Sequence, residues 1–209
     1  MEPDDTFERA LIARGDAPVA GVDEVGRGPL AGPVIAAAVL FDPAALPEGL
    51  MDSKALGPKR REALAAHIRD HCESGVGVAS VEEIDAHNIL RASHIAMMRA
   101  VAALPRVPAH LLIDGPLCPR TCELPNTCLV KGDGRSVSIA AASILAKVVR
   151  DALMRDLAQQ FPGYGWETNM GYPSKNHRSA LQNLGVTPHH RRSFAPVRNI
   201  LYQEDLPSP

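Results

Sequence analysis

The stretch Val19-Ala20-Gly21-Val22-Asp23-Glu24-Val25-Gly26-Arg27-Gly28-Pro29-Leu30-Ala31-Gly32-Pro33 decides how this chain is read. A short apolar run ends in two adjacent carboxylates, a Gly-Arg-Gly turn follows, and a second apolar run begins at Val34. Residues 18–23 read as a buried strand and residues 32–41 as a second, paired to the first across the glycine turn. Neighbouring side chains on a flat strand point to opposite faces. Asp23 and Glu24 therefore serve one site only where the strand ends or bulges, which Gly26 permits.

Outward from this hairpin, residues 5–14 read as a short helix closed by Gly15. Pro58 opens a helix reaching about Cys72, with Leu64, Ala65, Ile68 and Cys72 on one face. A third strand is expected over 76–81, then helices over 81–86 and 88–104. His110 to Ile113 reads as a strand ending at the turn Asp114-Gly115-Pro116, and Cys128 to Val130 as a last short strand. Residues 136–160 form an unbroken helical run. After Pro162-Gly163 the chain reads as loop-rich, with a helix near 177–184. Strands that begin as a hairpin and then alternate with helices imply an α/β fold with a mixed sheet. The expected division is a domain over 16–209, with a core to about 161 and a small C-terminal helical portion over about 162–205, preceded by an N-terminal helix over 1–15.

The bulk numbers set bounds. The chain has 209 residues, 45% hydrophobic and 22% charged, with aromatics at only 4%. Small aliphatic side chains must fill the core. A formal net charge of −2 predicts no nucleic-acid partner by itself, but a local basic face can serve. Such faces are Lys175, His177 and Arg178, then His189-His190-Arg191-Arg192 and Arg198. Cys118, Cys122 and Cys128 stand at a C-x3-C-x5-C spacing that fits structural zinc poorly, so reduced thiols are expected. The acidic N-terminus is unlike a secretory signal. No apolar run approaches the ~20 residues of a membrane helix. A cytoplasmic protein is the expectation.

The chemistry sits in the carboxylates. Asp23 and Asp114 each end an apolar strand, where ligand sites of α/β sheets gather; Asp-Gly after a strand is also an ordinary turn. Asp151 shares a helical stripe with Ser143 and Lys147. Carboxylates from separate segments suit Mg²⁺ or Mn²⁺, and two such ions can promote phosphoryl transfer. Gly26 and Gly28 let backbone N–H groups approach a sugar-phosphate. Arg27 is either a phosphate contact or a surface arginine.

The stretch from Asp23 to Val34 resembles the signature of type 2 ribonuclease H, the bacterial ribonuclease HII family in particular. The likeness continues in order through Asp52-Ser53-Lys54, Ile113-Asp114-Gly115, Lys131-Gly132-Asp133 and Ser138 to Asp151. It ends with Gly171-Tyr172-Pro173, His177 and His190-Arg191-Arg192-Ser193-Phe194. The resemblance implies a ribonuclease H-like fold, a mixed central sheet flanked by helices. It implies an endonuclease that cuts the RNA strand of RNA–DNA hybrids and incises at single ribonucleotides in duplex DNA, as ribonucleotide excision repair requires. Two Mg²⁺ or Mn²⁺ ions would leave 5′-phosphate and 3′-hydroxyl ends.

Carried over residue by residue, the resemblance makes Asp23, Glu24, Asp114 and Asp151 the catalytic, metal-binding acids. Gly26, Arg27 and Gly28 become the sensor of the ribose 2′-OH, and Tyr172 the ring that packs on the next sugar. Lys54 and Ser193 become further substrate contacts. A monomer with no membrane partner is expected. Met170 and Ser174 depart from the family pattern, where a basic residue and a threonine are usual. His177 and His190 are left as phosphate contacts or structural residues. The rival readings are another divalent-metal nuclease or phosphotransferase on the same fold, or a non-catalytic hybrid-binding module.

Overall fold

The structure, a computed structural model, describes residues 2–204 apart from 52 and 54. In chain order the strands are β1 (Val19–Val25), β2 (Val34–Leu40), β3 (Ser74–Ala79), β4 (His110–Asp114) and β5 (Asn126–Leu129). The helices are α1 (Thr6–Ile12), α2 (Pro58–His71), α3 (Val81–His87), α4 (Ile89–Ala102), α5 (Val137–Gln160), α6 (Trp166–Asn169), α7 (Lys175–Leu184) and α8 (Ala195–Glu204). The sheet order is β3-β2-β1-β4-β5. β1–β2 and β2–β3 pair antiparallel, while β1–β4 and β4–β5 pair parallel. The expected hairpin, mixed sheet and flanking helices are all present.

The sheet is apolar on both faces because helices cover both. Along β2, Val34, Ala36, Ala38 and Leu40 join the cluster under α4. Ile35, Ala37 and Val39 alternate with them into the cluster under α2 and α5. Small residues let the layers close tightly. A Cβ on Gly21 would lie within 2.5 Å of backbone atoms of Ser138 and Ile139 in α5. The backbone of α4 comes equally near Gly75 and Gly77 of β3.

The first turn of α5 is anchored by α1. The fully buried Glu8 carboxylate accepts from the Ser138 N–H at 3.0 Å and from the hydroxyls of Ser136 and Ser138. A carboxylate satisfies the free donors of a helix N-terminus and complements its dipole. Its second oxygen, Glu8 Oε2, is buried without a protein partner.

Several expectations shift. β3 spans Ser74–Ala79, two residues earlier than expected, because Ser80 and Glu83 form a reciprocal capping box that starts α3. The loop-rich reading of the C-terminal part missed α6 and α8. The reduced-thiol reading is corrected for one pair: Cys118 and Cys128 form a disulfide, their Cα atoms 5.9 Å apart, while Cys72 and Cys122 are free. Register across β4 and β5 puts Cys128 beside Ile113, a proximity that C-x3-C-x5-C spacing does not encode. Two of the expected basic faces are also corrected. His177, His190 and Arg191 are buried, because the segments carrying them pack against α6 and the Gly26–Pro33 loop.

Replacing Gly21 with alanine forces a Cβ into the α5 backbone, which cannot yield as a side chain can. A loss of about 3 kcal/mol, at the upper end for overpacking, is expected, read as a lowered midpoint in chemical denaturation. An unchanged midpoint would show that strand and helix can separate at no cost.

Candidate active site

Three of the four expected acids meet at the C-terminal ends of β1 and β4. Parallel register pairs Val22 with Ile113, so the next residues, Asp23 and Asp114, end adjacent strands. Side-chain alternation turns both toward α5. Asp23 is 5% exposed, and its Oδ1 accepts from the Glu24 N–H at 2.7 Å. Asp114 Oδ1 accepts from the Gly132 N–H at 2.6 Å, in the 3₁₀ turn Gly132–Gly134 after β5. Glu24 lies 3.6 Å from the half-exposed Arg27 guanidinium.

The electrostatics are those of crowded, dehydrated anions. Burial first, then the charges of Glu24, Asp114 and Asp133, pushes the Asp23 carboxyl well above the usual carboxylate range; a hydrogen bond from Ser143 opposes this. Burial likewise raises Glu24, with Arg27 pulling against it and Asp114 adding to the rise. Asp133 is the acid that single-residue reading missed. It lies in the Lys131-Gly132-Asp133 motif, but only the fold brings its charge to bear on Asp23.

Asp151 stands apart, tied up by cations. Lys147 Nζ lies 2.7 Å from its Oδ1, and Arg61 Nη1 lies 3.9 Å from its Oδ2. Arg61 is itself held by the carbonyls of Ser53 at 2.8 Å and Leu56 at 2.7 Å. The Ser53 hydroxyl is 3.1 Å from that of Ser143, so one polar chain links Asp23 to Asp151 along α5. Among the described residues, no three His, Cys, Asp or Glu side chains form a group ready to hold a metal ion. Lys54 lies outside the described residues.

The turn after β1 is fixed from beneath by two buried arginines. Arg191 donates to the carbonyls of Gly26 at 2.6 Å, Arg27 at 3.0 Å and Gly32 at 2.8 and 3.0 Å. Arg150 donates to the carbonyls of Ala31 at 3.1 Å, Pro33 at 3.0 Å and Met170 at 2.9 Å. Gly26, at φ 96°, has no room for a side chain: its Cβ would sit 2.2 Å from Arg150 Nε. Burial draws the Arg191 guanidinium down to about 9 and that of Arg150 to about 10; both keep their charge at neutral pH.

Above this support the turn is open. Arg27 and Gly28 are exposed, and among the described residues their N–H groups have no hydrogen-bond partner. The Tyr172 ring, 42% exposed, covers Gly28, where a Cβ would lie 3.4 Å from its Cε1. The Leu30 N–H bonds the Gly171 carbonyl at 2.8 Å and pins the Tyr172 turn to the same loop. Met170 contributes its backbone, at φ 50°, and Ser174 caps α7 by accepting from the His177 N–H at 3.1 Å. Threonine would cap there equally well. Ser193 is engaged otherwise: its hydroxyl donates to Asp85 Oδ1 at 2.5 Å. The two histidines are structural here. His177 Nε2 accepts from Trp166 at 3.0 Å and lies 3.1 Å from His190 Nε2. Burial lowers both, His190 to about 3.

Carboxylates at the ends of a parallel strand pair, facing a long helix across a mixed five-stranded sheet, define an enzyme of the ribonuclease H-like class. The family model for ribonuclease HII matches residues 20–197. Ribonuclease HII of Ruegeria sp. (strain TM1040) is 67% identical over 202 residues, 97% of this chain and 88% of the relative. That of Paracoccus denitrificans (strain Pd 1222) is 61% identical over 203 residues, 97% of each chain. Among solved structures, ribonuclease H2 from Pyrococcus horikoshii OT3 superposes with a TM-score of 0.75 at 28% identity, covering 88% of this chain and 97% of that one. The chain belongs to the ribonuclease HII family and is a ribonuclease H.

A carboxylate raised in the folded state binds its proton more tightly there than in the unfolded chain. Its contribution to stability is full at acid pH and is lost as pH rises through the raised value. In chelator at neutral pH, Asp23→Asn should therefore melt a few degrees above the wild type. The gap should close as pH falls into the ordinary carboxylate range. A gap independent of pH would place the effect elsewhere than in charge.

Proposed function

We propose that this enzyme hydrolyses the RNA strand of RNA–DNA hybrids and incises duplex DNA at single ribonucleotides, using Mg²⁺ or Mn²⁺ held by Asp23, Glu24, Asp114 and Asp151. The observation that carries the reading is the gathering of Asp23, Glu24 and Asp114, dehydrated and of like charge, beside an open glycine turn. All the donors are oxygens, which suits a hard divalent cation. Burial first, and then neighbouring negative charge, raises Asp23 and Glu24, and a cation bound there would relieve both. When bound, such ions supply acidification of water and offset the charge developing on the leaving oxygen, so that 5′-phosphate and 3′-hydroxyl ends result.

The chain's own residues bind and orient. The N–H groups of Arg27 and Gly28, without a partner among the described residues, are donors for a 2′-OH or its neighbouring phosphate, and Arg191 holds the Arg27 carbonyl still. The 2′-OH both donates and accepts, and it marks a ribonucleotide within DNA. The Tyr172 ring over Gly28 offers a flat face to the next sugar and excludes an added hydroxyl there. Ser143 steadies the Asp23 carboxylate by hydrogen bonding. His177 and His190 are bonded to each other and buried, so neither is offered as a base in this reading. Lys54 and Ser193 contact the flanking strand in this reading, Ser193 after exchanging Asp85 for substrate. The working unit is residues 16–209, a cytoplasmic monomer, with the Glu8 helix steadying α5.

Two measurements test this. A duplex carrying one ribonucleotide should be cut in Mg²⁺ or Mn²⁺ at the ribonucleotide while all-DNA duplex stays whole; the reverse would reject the reading. Asp23→Asn should lower turnover by at least about 10³-fold, as expected for removal of a group that stabilises transition-state charge, and should leave hybrid affinity nearly unchanged.

Tyr172→Ala should impair single-ribonucleotide incision by about tenfold more than cleavage of long RNA tracts, measured as the ratio of kcat/KM on the two substrates. Equal losses would leave the ring with a packing role alone.

A further inference from the structure

Asp151 differs from its partners in a way that residue identity does not foretell. Asp23 feels the charges of Glu24, Asp114 and Asp133, all negative. Asp151 instead sits among cations. Lys147 Nζ is 2.7 Å away and Arg61 Nη1 is 3.9 Å away, and all three side chains are four-fifths buried or more. The two cations are not equivalent. Arg61 has its other donors committed to Ser53 and Leu56 carbonyls, so its guanidinium is fixed by the loop before α2. Among the described residues Lys147 has Asp151 as its one partner, and it stands on a flexible four-carbon stem one helical turn away.

We propose that Lys147 is a positioning residue that acts as a removable counter-ion, occupying Asp151 Oδ1 until a divalent cation displaces it, while Arg61 stays and aims the carboxylate. This rests on the reading of Asp151 as a metal-binding acid. An ammonium and a metal ion cannot share one carboxylate oxygen without repulsion. The cation that joins Asp151 must therefore push Lys147 aside, and the ion-free site is not a finished cage. The displaced ammonium is a free positive charge beside the place where a phosphodiester is to lie. Ion loading without substrate strands that charge, whereas loading with substrate gives it a phosphate partner. Lys147 thereby couples the two binding events: it weakens ion binding to the empty enzyme and opposes it less once a nucleic acid is present.

Calorimetry of Mn²⁺ binding to the substrate-free protein tests this without reference to cleavage. Lys147→Met and Lys147→Gln remove the charge at a partly exposed position and keep most of the stem. Each should bind Mn²⁺ about fivefold more tightly than the wild type, the scale of one lost ion-pair competitor. Lys147→Arg, which keeps the charge, should bind as the wild type does. Affinity unchanged or weakened in both neutral variants would overturn the proposal. Asp151→Asn in the same experiment separates the two levels of inference. If it lowers Mn²⁺ affinity while the Lys147 variants change nothing, Asp151 stands as a ligand and the counter-ion role falls. If it leaves Mn²⁺ binding intact, the metal role of Asp151 falls, and the counter-ion role with it.

Discussion

The grip of two buried guanidinium groups on backbone carbonyls holds this molecule's functional parts together. Arg191 and Arg150 reach the loop between β1 and β2 from two separate later parts of the chain, one from beyond α7 and one from within α5. A buried carbonyl without a partner costs about 1–3 kcal/mol, and a loop turning several carbonyls inward needs donors that arrive from elsewhere. Arginine, with five N–H groups in a rigid fork, supplies them. The segment after α7, the glycine turn and α5 are thus tied together. Without these contacts the sheet could still form, but the open turn would have no fixed height relative to the acids.

The second organising constraint is charge of one sign in a small space. The sheet topology brings Asp23 and Asp114 together, and the 3₁₀ turn after β5 adds Asp133. Crowding these acids apart from a cation is unfavourable, the more so where they are buried, and the raised Asp23 and Glu24 record that conflict. The fold tolerates it because the surrounding layers of alanine, valine and isoleucine are closely packed on both faces of the sheet. Stability elsewhere sustains a cluster of acids that is, on its own terms, unstable.

Much of this was legible in the residue order. The hairpin, the mixed sheet and the long helix each rest on local signals: apolar runs, turn glycines, and the absence of a breaker from 137 to 160. Motif order singled out Asp23, Glu24, Asp114 and Asp151, and the fold brings the first three together at the ends of β1 and β4. What stayed hidden depends on long-range packing. A run such as His189-His190-Arg191-Arg192 looks like a solvated basic face, yet His190 and Arg191 turn inward while Arg192 is exposed. An apolar helix containing Arg150 gives no hint of which carbonyls that arginine will meet. The pairing of Cys118 with Cys128 depends on the loop after β4 folding back onto β5, and the tethering of Asp151 by Arg61 on a contact across ninety residues of chain.

Gly21 has one last consequence. At that point the strand bearing Asp23 touches the helix bearing Asp151 through peptide atoms alone, with no side chain between them. The spacing of the two segments is therefore gauged by covalent geometry and van der Waals radii. Hydrophobic residues elsewhere can drift in shape over many generations without detuning the distance on which the chemistry depends. Evolution is free to repaint the interior, provided that one bare contact is kept.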